Sequence, residues 1–228
     1  MTLLWVIGGS LESAQYLYGL EDERPPRFEF VNRLAVHEYR RRVESEFHEY
    51  DDAEHERLWF NDMPIPIFSI ADPAFRLDYF NTGLSCASSR LRHALGLTDA
   101  VIRYRDIDLD QSPPAVRERG YQAFHVLTVA DPIDWSRTAA VVLDVRRPDG
   151  SIRKQRYVAP PNPVGPPQRI YWRDDFKAPA PLFRAVGTPW TLATDRLADQ
   201  VMRAGITDLV FQDITSDRAQ TEVVLRQL

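Results

Sequence analysis

Cys86 follows Ser85 at what reads as the start of a helix, with His93 and His125 downstream. A thiol at a helix N-terminus has its pKa depressed by the helix dipole and becomes nucleophilic. Cys86 with a histidine base is therefore one candidate for covalent chemistry. His93 lies seven residues on, about two helical turns away, which is poor placement for a base. His125 sits in an apolar run, where a hydrogen-bonded core or edge histidine is the commoner outcome. Asp106, Asp108 and Asp110 alternate along an expected strand and share a face. They offer hard oxygen ligands to a divalent cation, although the exposed end of a strand gives the same pattern. His37, His48 and His55 stand among carboxylates, but their spacings provide no i,i+4 pair and no HExxH. On one helix His48 and His55 would be about 10 Å apart by helix rise, too far for one ion. Gly8-Gly9 after the first apolar stretch reads as a turn, and no G-x-G-x-x-G, P-loop or G-x-S-x-G occurs. The residues therefore assign no catalytic, cofactor-binding or metal-binding set, and the chain is read as not an enzyme.

The elements that would position these groups follow from pattern and punctuation. The chain has 228 residues, 44% hydrophobic and 27% charged, enough for a substantial core without metal or disulfide. Its single cysteine makes no internal disulfide, so an oxidising compartment is not needed. No apolar run approaches the roughly 20 residues that span a bilayer. Leu3 to Ile7 is too short for a signal-peptide core and has no basic residue before it, so a first strand and a cytoplasmic protein are expected. Phe28 to Val36 suggests a strand, with a helix from about Val36 through the basic triplet Arg40-Arg41-Arg42. Further strands are expected at 67–70, 101–109, 121–129, 139–145 and 208–214. A helix from Ser85 as N-cap ends at Gly96, and a second from Thr194 ends at Gly205. Residues 110–120 read as loop. Pro148-Asp149-Gly150 reads as a hairpin turn, and the proline-rich 159–181 as a rigid connector. Arg90-Leu91 before Gly96-Leu97-Thr98-Asp99 echoes Arg196-Leu197 before Gly205-Ile206-Thr207-Asp208. The fold class is α+β: a mixed or antiparallel sheet carrying a few helices, with two similar helix–strand units on it. Residues 1–65 form an N-terminal α/β subregion and 66–228 the main domain, or the two run as one continuous globule.

Charge is unevenly spread. Glu44 to Glu56 holds seven acids and no Lys or Arg, so with that −7 removed from the net −5 the remainder carries +2. Nucleic-acid binders show a basic stripe, and a triplet of arginines is too short to be one. An acidic segment suits a basic protein partner, because complementary potential speeds encounter; the plain alternative is a solvated surface. Five Trp, nine Tyr and eleven Phe are a generous supply, and any left exposed beside the acids would make an interface centre.

Four stretches carry a resemblance. They are the serine-capped helix Ser85 to Gly96 with Val101 to Leu109, then Tyr121 to Val129 with Asp131-Pro132-Ile133-Asp134-Trp135-Ser136, then Leu182-Phe183-Arg184, and last Thr194 to Phe211 with Gly205-Ile206-Thr207. In order and spacing they resemble bacterial immunity proteins of polymorphic toxin systems, of the type first defined on a myxobacterial protein and long carried as a domain of unknown function. The resemblance runs from near Pro66 to near Ile214, and the first 65 residues lie outside it. It departs at Asp208, where the family tends to carry a second glycine. The resemblance implies a non-enzymatic inhibitor that binds a cognate toxin, encoded by a neighbouring gene, and blocks it in the cytoplasm without a cofactor. It transfers no binding residues. Charge alone nominates Glu44, Glu46, Glu49, Asp51, Asp52 and Glu54 as the surface facing a basic toxin. A small enzyme using Asp106, Asp108 and Asp110 or Cys86, or a scaffolding module without a toxin, are the alternatives.

Overall fold

The computed structural model describes residues 4–9, 28–46, 60–146, 152–158, 170–188 and 190–213. In chain order the elements are β1 (Leu4–Gly9), β2 (Phe28–Phe30), α1 (Arg33–Glu46), β3 (Phe68–Ile70), β4 (Tyr79–Asn81), β5 (Ser85–Ala87), α2 (Ser89–Leu95) and β6 (Ile102–Asp106). There follow α3 (Pro114–Arg117), β7 (Gln122–Val126), β8 (Val129–Ala130), β9 (Ala140–Arg146), β10 (Ile152–Val158), β11 (Leu182–Ala185), β12 (Thr191–Thr194), α4 (Asp195–Arg203) and β13 (Leu209–Asp213). The fold is α+β. One sheet has the order β13-β1-β12-β11-β8 and is antiparallel except where β8 joins β11 in parallel. A second, antiparallel throughout, has the order β4-β5-β7-β6. β2–β3 and β9–β10 are two-stranded ladders. Two pairings cross residue 65: β1 lies between β12 and β13, and β2 pairs with β3.

Local chemistry explains the helix ends. Ser88 is the N-cap of α2, its Oγ accepting from the Leu91 N–H at 3.1 Å, so one of the orphan donors of the first turn is satisfied. The expected cap, Ser85, instead opens β5 and pairs with Asn81 and Phe124. The helix is shorter than its sequence pattern because the strand takes the first three residues. Gly96 closes it in the left-handed region at φ 56°, which glycine adopts without a Cβ penalty. Thr194 occupies the N-cap position of α4 with no side-chain cap bond, and Leu197, Ala198 and Val201 form the buried stripe. Within the expected loop 110–120, Pro114 starts the four-residue α3, where its missing N–H is an orphan in any case.

The two helix–strand units are present but do not share a sheet. α2 leads to β6 at the edge of the four-stranded sheet, and α4 to β13 at the edge of the five-stranded one. They meet helix to helix: Gln200 Nε2 donates to the Ala94 carbonyl at 2.8 Å, and Leu91, Leu95, Ile102, Leu197, Val201, Ile206 and Phe211 form one apolar core between the sheets. Gly8 and Gly9 are no turn; they belong to β1 and pair with Val210 and Leu209. A second core is aromatic, with Phe80 in edge contact with Phe28 at 5.2 Å and Phe68 at 5.6 Å between centroids. Such pairs add about 0.5–1.5 kcal/mol each beyond area burial. A third gathers Ile133, Trp172, Phe183 and Leu192. Trp172 comes from the connector, which runs antiparallel to residues 132–134 through an Ile133–Trp172 bridge. Residues 159–169 and the turn Pro148-Asp149-Gly150 lie outside the described residues, yet β9 and β10 pair in full register from Ala140↔Val158 to Arg146↔Ile152. Among the described residues no helix is long and apolar enough to cross a membrane.

Candidate functional site

The nucleophile candidate fails on geometry. Cys86 is fully buried in the middle of β5, opposite Ala123, and burial pushes its thiol pKa well above the ordinary value. This reverses the expected depression: no helix N-terminus points at the sulfur, because the helix begins three residues later. His93 is exposed on α2. His125 stands on β7 with its ring stacked on Phe60 at 5.7 Å, and so props the segment that returns from the acidic run. The aspartates are engaged locally. Asp106 accepts from Gln122 Nε2 at 2.6 Å, and Asp108 Oδ1 accepts from the Asp110 N–H at 2.8 Å in an ordinary turn. Among the described residues no three His, Cys, Asp or Glu side chains converge as a metal site would require; His48 and His55 lie outside them.

The densest polar cluster is one that sequence reading did not assemble. Asp78, just before β4, accepts from Ser88 Oγ at 2.5 Å, Arg90 Nη1 at 3.0 Å and Arg119 Nη2 at 2.8 Å. Arg90 Nη2 reaches across to the carbonyls of Ala204 at 2.6 Å and Gly205 at 3.0 Å, beyond the last turn of α4. There a cation also favours the negative end of the helix dipole. Arg119 donates further to Tyr121 and to the Arg76 carbonyl. Asp208 accepts from the Tyr79 N–H at 2.5 Å, and burial raises its carboxyl pKa. The links through Asp78, Arg90 and Asp208 join separate segments: the start of α2, the end of α4, the approach to β4 and the chain between α3 and β7. What the cluster can do is hold. Buried Asp78 is paired with two guanidiniums and hydrogen-bonded, as buried charge must be.

The nominated acids are placed only in part. Glu44 and Glu46 fall on the last turn of α1 by backbone, while Glu49, Asp51, Asp52 and Glu54 lie outside the described residues. At the other end of α1 the structure exposes an aliphatic patch. Leu34 is 69% accessible, Ile65 56% and Val31 41%. Asn32 ties the two segments, its Nδ2 donating to the Ile65 carbonyl and its Oδ1 accepting from the Ile67 N–H, both at 2.8 Å. Exposed acids border the patch: Glu38 one turn beyond Leu34, and Asp62 three residues before Ile65. The chain that returns from the acidic run therefore passes beside this patch through Asp62 to Ile65, while α1 carries Glu44 and Glu46 to its far end. The return segment is fixed by Arg105, which donates to the carbonyls of Phe60, at 2.8 Å, and of Asn61 and Met63. The expected exposed aromatics are not its centre. Phe28, Phe60 and Phe68 are buried, and the described apolar surface here is aliphatic. Compared with models of known protein families and with curated proteins, the chain matches none.

Proposed function

We propose that this chain is an immunity protein, one that binds a cognate bacterial toxin by protein–protein contact in the cytoplasm and neutralises it. The observation that carries the reading is the exposed Val31–Leu34–Ile65 patch at the foot of the helix that runs into the acidic segment. An apolar centre ringed by charge is the usual anatomy of a protein interface, and negative potential around it selects a basic partner. The resemblance over residues 66–214 supports the same reading from another part of the chain, and the internal satisfaction of the Asp78 cluster agrees with a framework role for it. The toxin covers the patch and meets Glu44, Glu46, Glu49, Asp51, Asp52 and Glu54 as it does so.

The test is co-expression with the product of the neighbouring gene, scored for survival and co-purification. The wild-type chain protects. Leu34→Asp with Ile65→Asp, and separately Glu46→Lys with Glu49→Lys and Asp52→Lys, each lower the affinity about tenfold or more while leaving the melting temperature near that of the parent. Undiminished affinity in both variants removes this surface. Absence of protection and co-purification with the wild-type chain removes the toxin reading itself.

A further inference from the structure

Strand β9 departs from the way sheets protect their edges. Natural edge strands are short, charged, bulged or covered, because an open row of N–H and C=O groups pairs with any strand that arrives. Among the described residues the outer strands β2, β3, β4 and β8 have two or three residues each, β6 carries Arg103, Arg105 and Asp106, and β13 is buried or half-buried along its length. β9 has seven residues. From Ala139 to Leu143 five consecutive apolar residues are exposed, with Val142 at 54% and Leu143 at 51%. Such a run is a fault in a sequence unless it has a use. With Ile152, the β9–β10 ladder holds four of the seven large exposed hydrophobics among the described residues.

The ladder fixes which backbone groups are open. The Val158 N–H donates to the Gly187 carbonyl at 2.9 Å, and the Arg156 carbonyl lies against Gly187, so these two residues direct their backbone groups away from β9. In an antiparallel ladder the residue opposite an outward-pointing one also points outward. The residues opposite are Val142 and Ala140, so β9 offers the N–H and C=O groups of 140, 142, 144 and 146 at its outer edge. The outer edge of β10 is met at its base by Gly187 and bears the exposed cations Lys154 and Arg156. Among the described strands β9 pairs only with β10, and its acid, Asp144, stands opposite Lys154 of the same hairpin.

We propose that two copies of the chain pair β9 to β9, antiparallel across a two-fold axis, giving a four-stranded sheet in the order β10-β9-β9-β10. A lone two-stranded ladder is marginal in water, and added strands remove that weakness. One register pairs all seven residues and matches the open groups of each strand to those of the other. It sets Ala140 against Arg146, Val142 against Asp144, and Leu143 against its own copy on the axis. Leu143 then falls in a non-hydrogen-bonded pair, the closer kind, with Cα atoms about 4.5 Å apart, and Val141 lies beside it on the same face. Charge selects this occupant. In the dimer the two β10 strands stand three strand spacings apart, about 14 Å, beyond the screening length of about 8 Å at physiological salt. Pairing β10 to β10 would instead set Lys154 and Arg156 of the two copies side by side, and a basic partner such as the proposed toxin would meet the same cations. The contact is isologous, so it closes at two copies. A single strand from each side is a small interface, so the dissociation constant is on the order of micromolar. The proposal concerns the purified chain and does not rest on the toxin reading.

Sedimentation of the full chain from micromolar to near-millimolar concentration tests it, and a monomer–dimer equilibrium is the expected result. Val142→Pro removes an N–H that the β9–β10 ladder does not use, so the hairpin persists while the dimer dissociation constant rises about tenfold or more. Leu143→Lys and Leu143→Glu each place like charges opposite one another on the axis and weaken the dimer by about the same factor. Mixed together, the Lys and Glu variants form a heterodimer, which merely misfolded variants cannot do. A chain that stays monomeric at every concentration overturns the proposal, whichever other protein then takes the edge. A dimer that both Val142→Pro and Leu143→Lys leave intact overturns it equally, and so does a Lys and Glu mixture that remains monomeric.

Discussion

Asp208 shows how one buried side chain can do a backbone group's work: its carboxylate takes up the N–H of Tyr79 at the start of β4. The echoing residue Asp99, in the first helix–strand unit, stays exposed. Burial raises the Asp208 pKa above its ordinary 3.8, with the neighbouring Asp78 adding to the rise. A group whose pKa is higher in the folded state binds its proton more tightly there. Its contribution to stability is full below the ordinary carboxylate range and is lost as pH rises through the folded value. Asp208→Asn keeps an acceptor for Tyr79 and removes the titration. In denaturant unfolding from pH 3 upward, the stability of the parent relative to the Asn variant should fall with rising pH and then level off. A relative stability that rises with pH would show that the ionised form is the one the fold prefers.

Gly187 is the hinge pin between the hairpin and the main sheet. It sits at φ +72°, and a Cβ there would lie 2.5 Å from the Arg156 carbonyl and 2.7 Å from the Trp135 ring. Gly187→Ala is expected to destabilise the protein by at least about 1 kcal/mol, and to loosen β9–β10 first. Hydrogen exchange would show this as protection lost between 140 and 158 while α2 and β7 keep theirs; unchanged protection there would mean the hairpin is held by other contacts. How much of this was legible follows from range. Gly96 and Gly205 end their helices as their positions in the sequence suggested, because caps are local. Which of Ser85, Ser88 and Ser89 would cap α2 was not legible, since the choice depends on β5 pairing with β7 some 40 residues away. The strands at β6 and β7 were plain, but the assignment of the two helix–strand units to different sheets depends on β1 arriving from the other end of the chain. At the candidate site the acids were visible as a run of charge. The aliphatic patch was not, because Val31, Leu34 and Ile65 look like core residues until Asn32 binds the Ile65 carbonyl 33 residues away and leaves them outside. The Asp78 cluster was hidden for the same reason: Arg90 and the carbonyl of Ala204 are 114 residues apart.

β1 occupies an inner position in the five-stranded sheet, so the first residues of the described structure complete what the last ones begin. Without it β13 has no partner among the described strands, and β12 is left with an open edge, a state that invites intermolecular pairing. The segment before residue 66 also supplies Phe28, Val36, Phe60 and Met63 to the aromatic core, all nearly inaccessible. At about 2 kcal/mol for each buried side chain of this size, these four represent about 8 kcal/mol, within the 5–15 kcal/mol that holds a whole domain folded. Phe60 further carries the stack on His125, and its neighbours Asn61 and Met63 the carbonyls that Arg105 engages; removal would leave that guanidinium without those partners. A fragment beginning at residue 66 is therefore expected to lack a cooperative thermal transition and to associate through exposed strands. The full chain is expected to unfold in a single transition, with far-ultraviolet circular dichroism and tryptophan fluorescence coincident. A fragment 66–228 that remains monomeric and melts cooperatively would show that the four-stranded sheet and its two helices constitute a self-sufficient unit, with β1 an accessory to it.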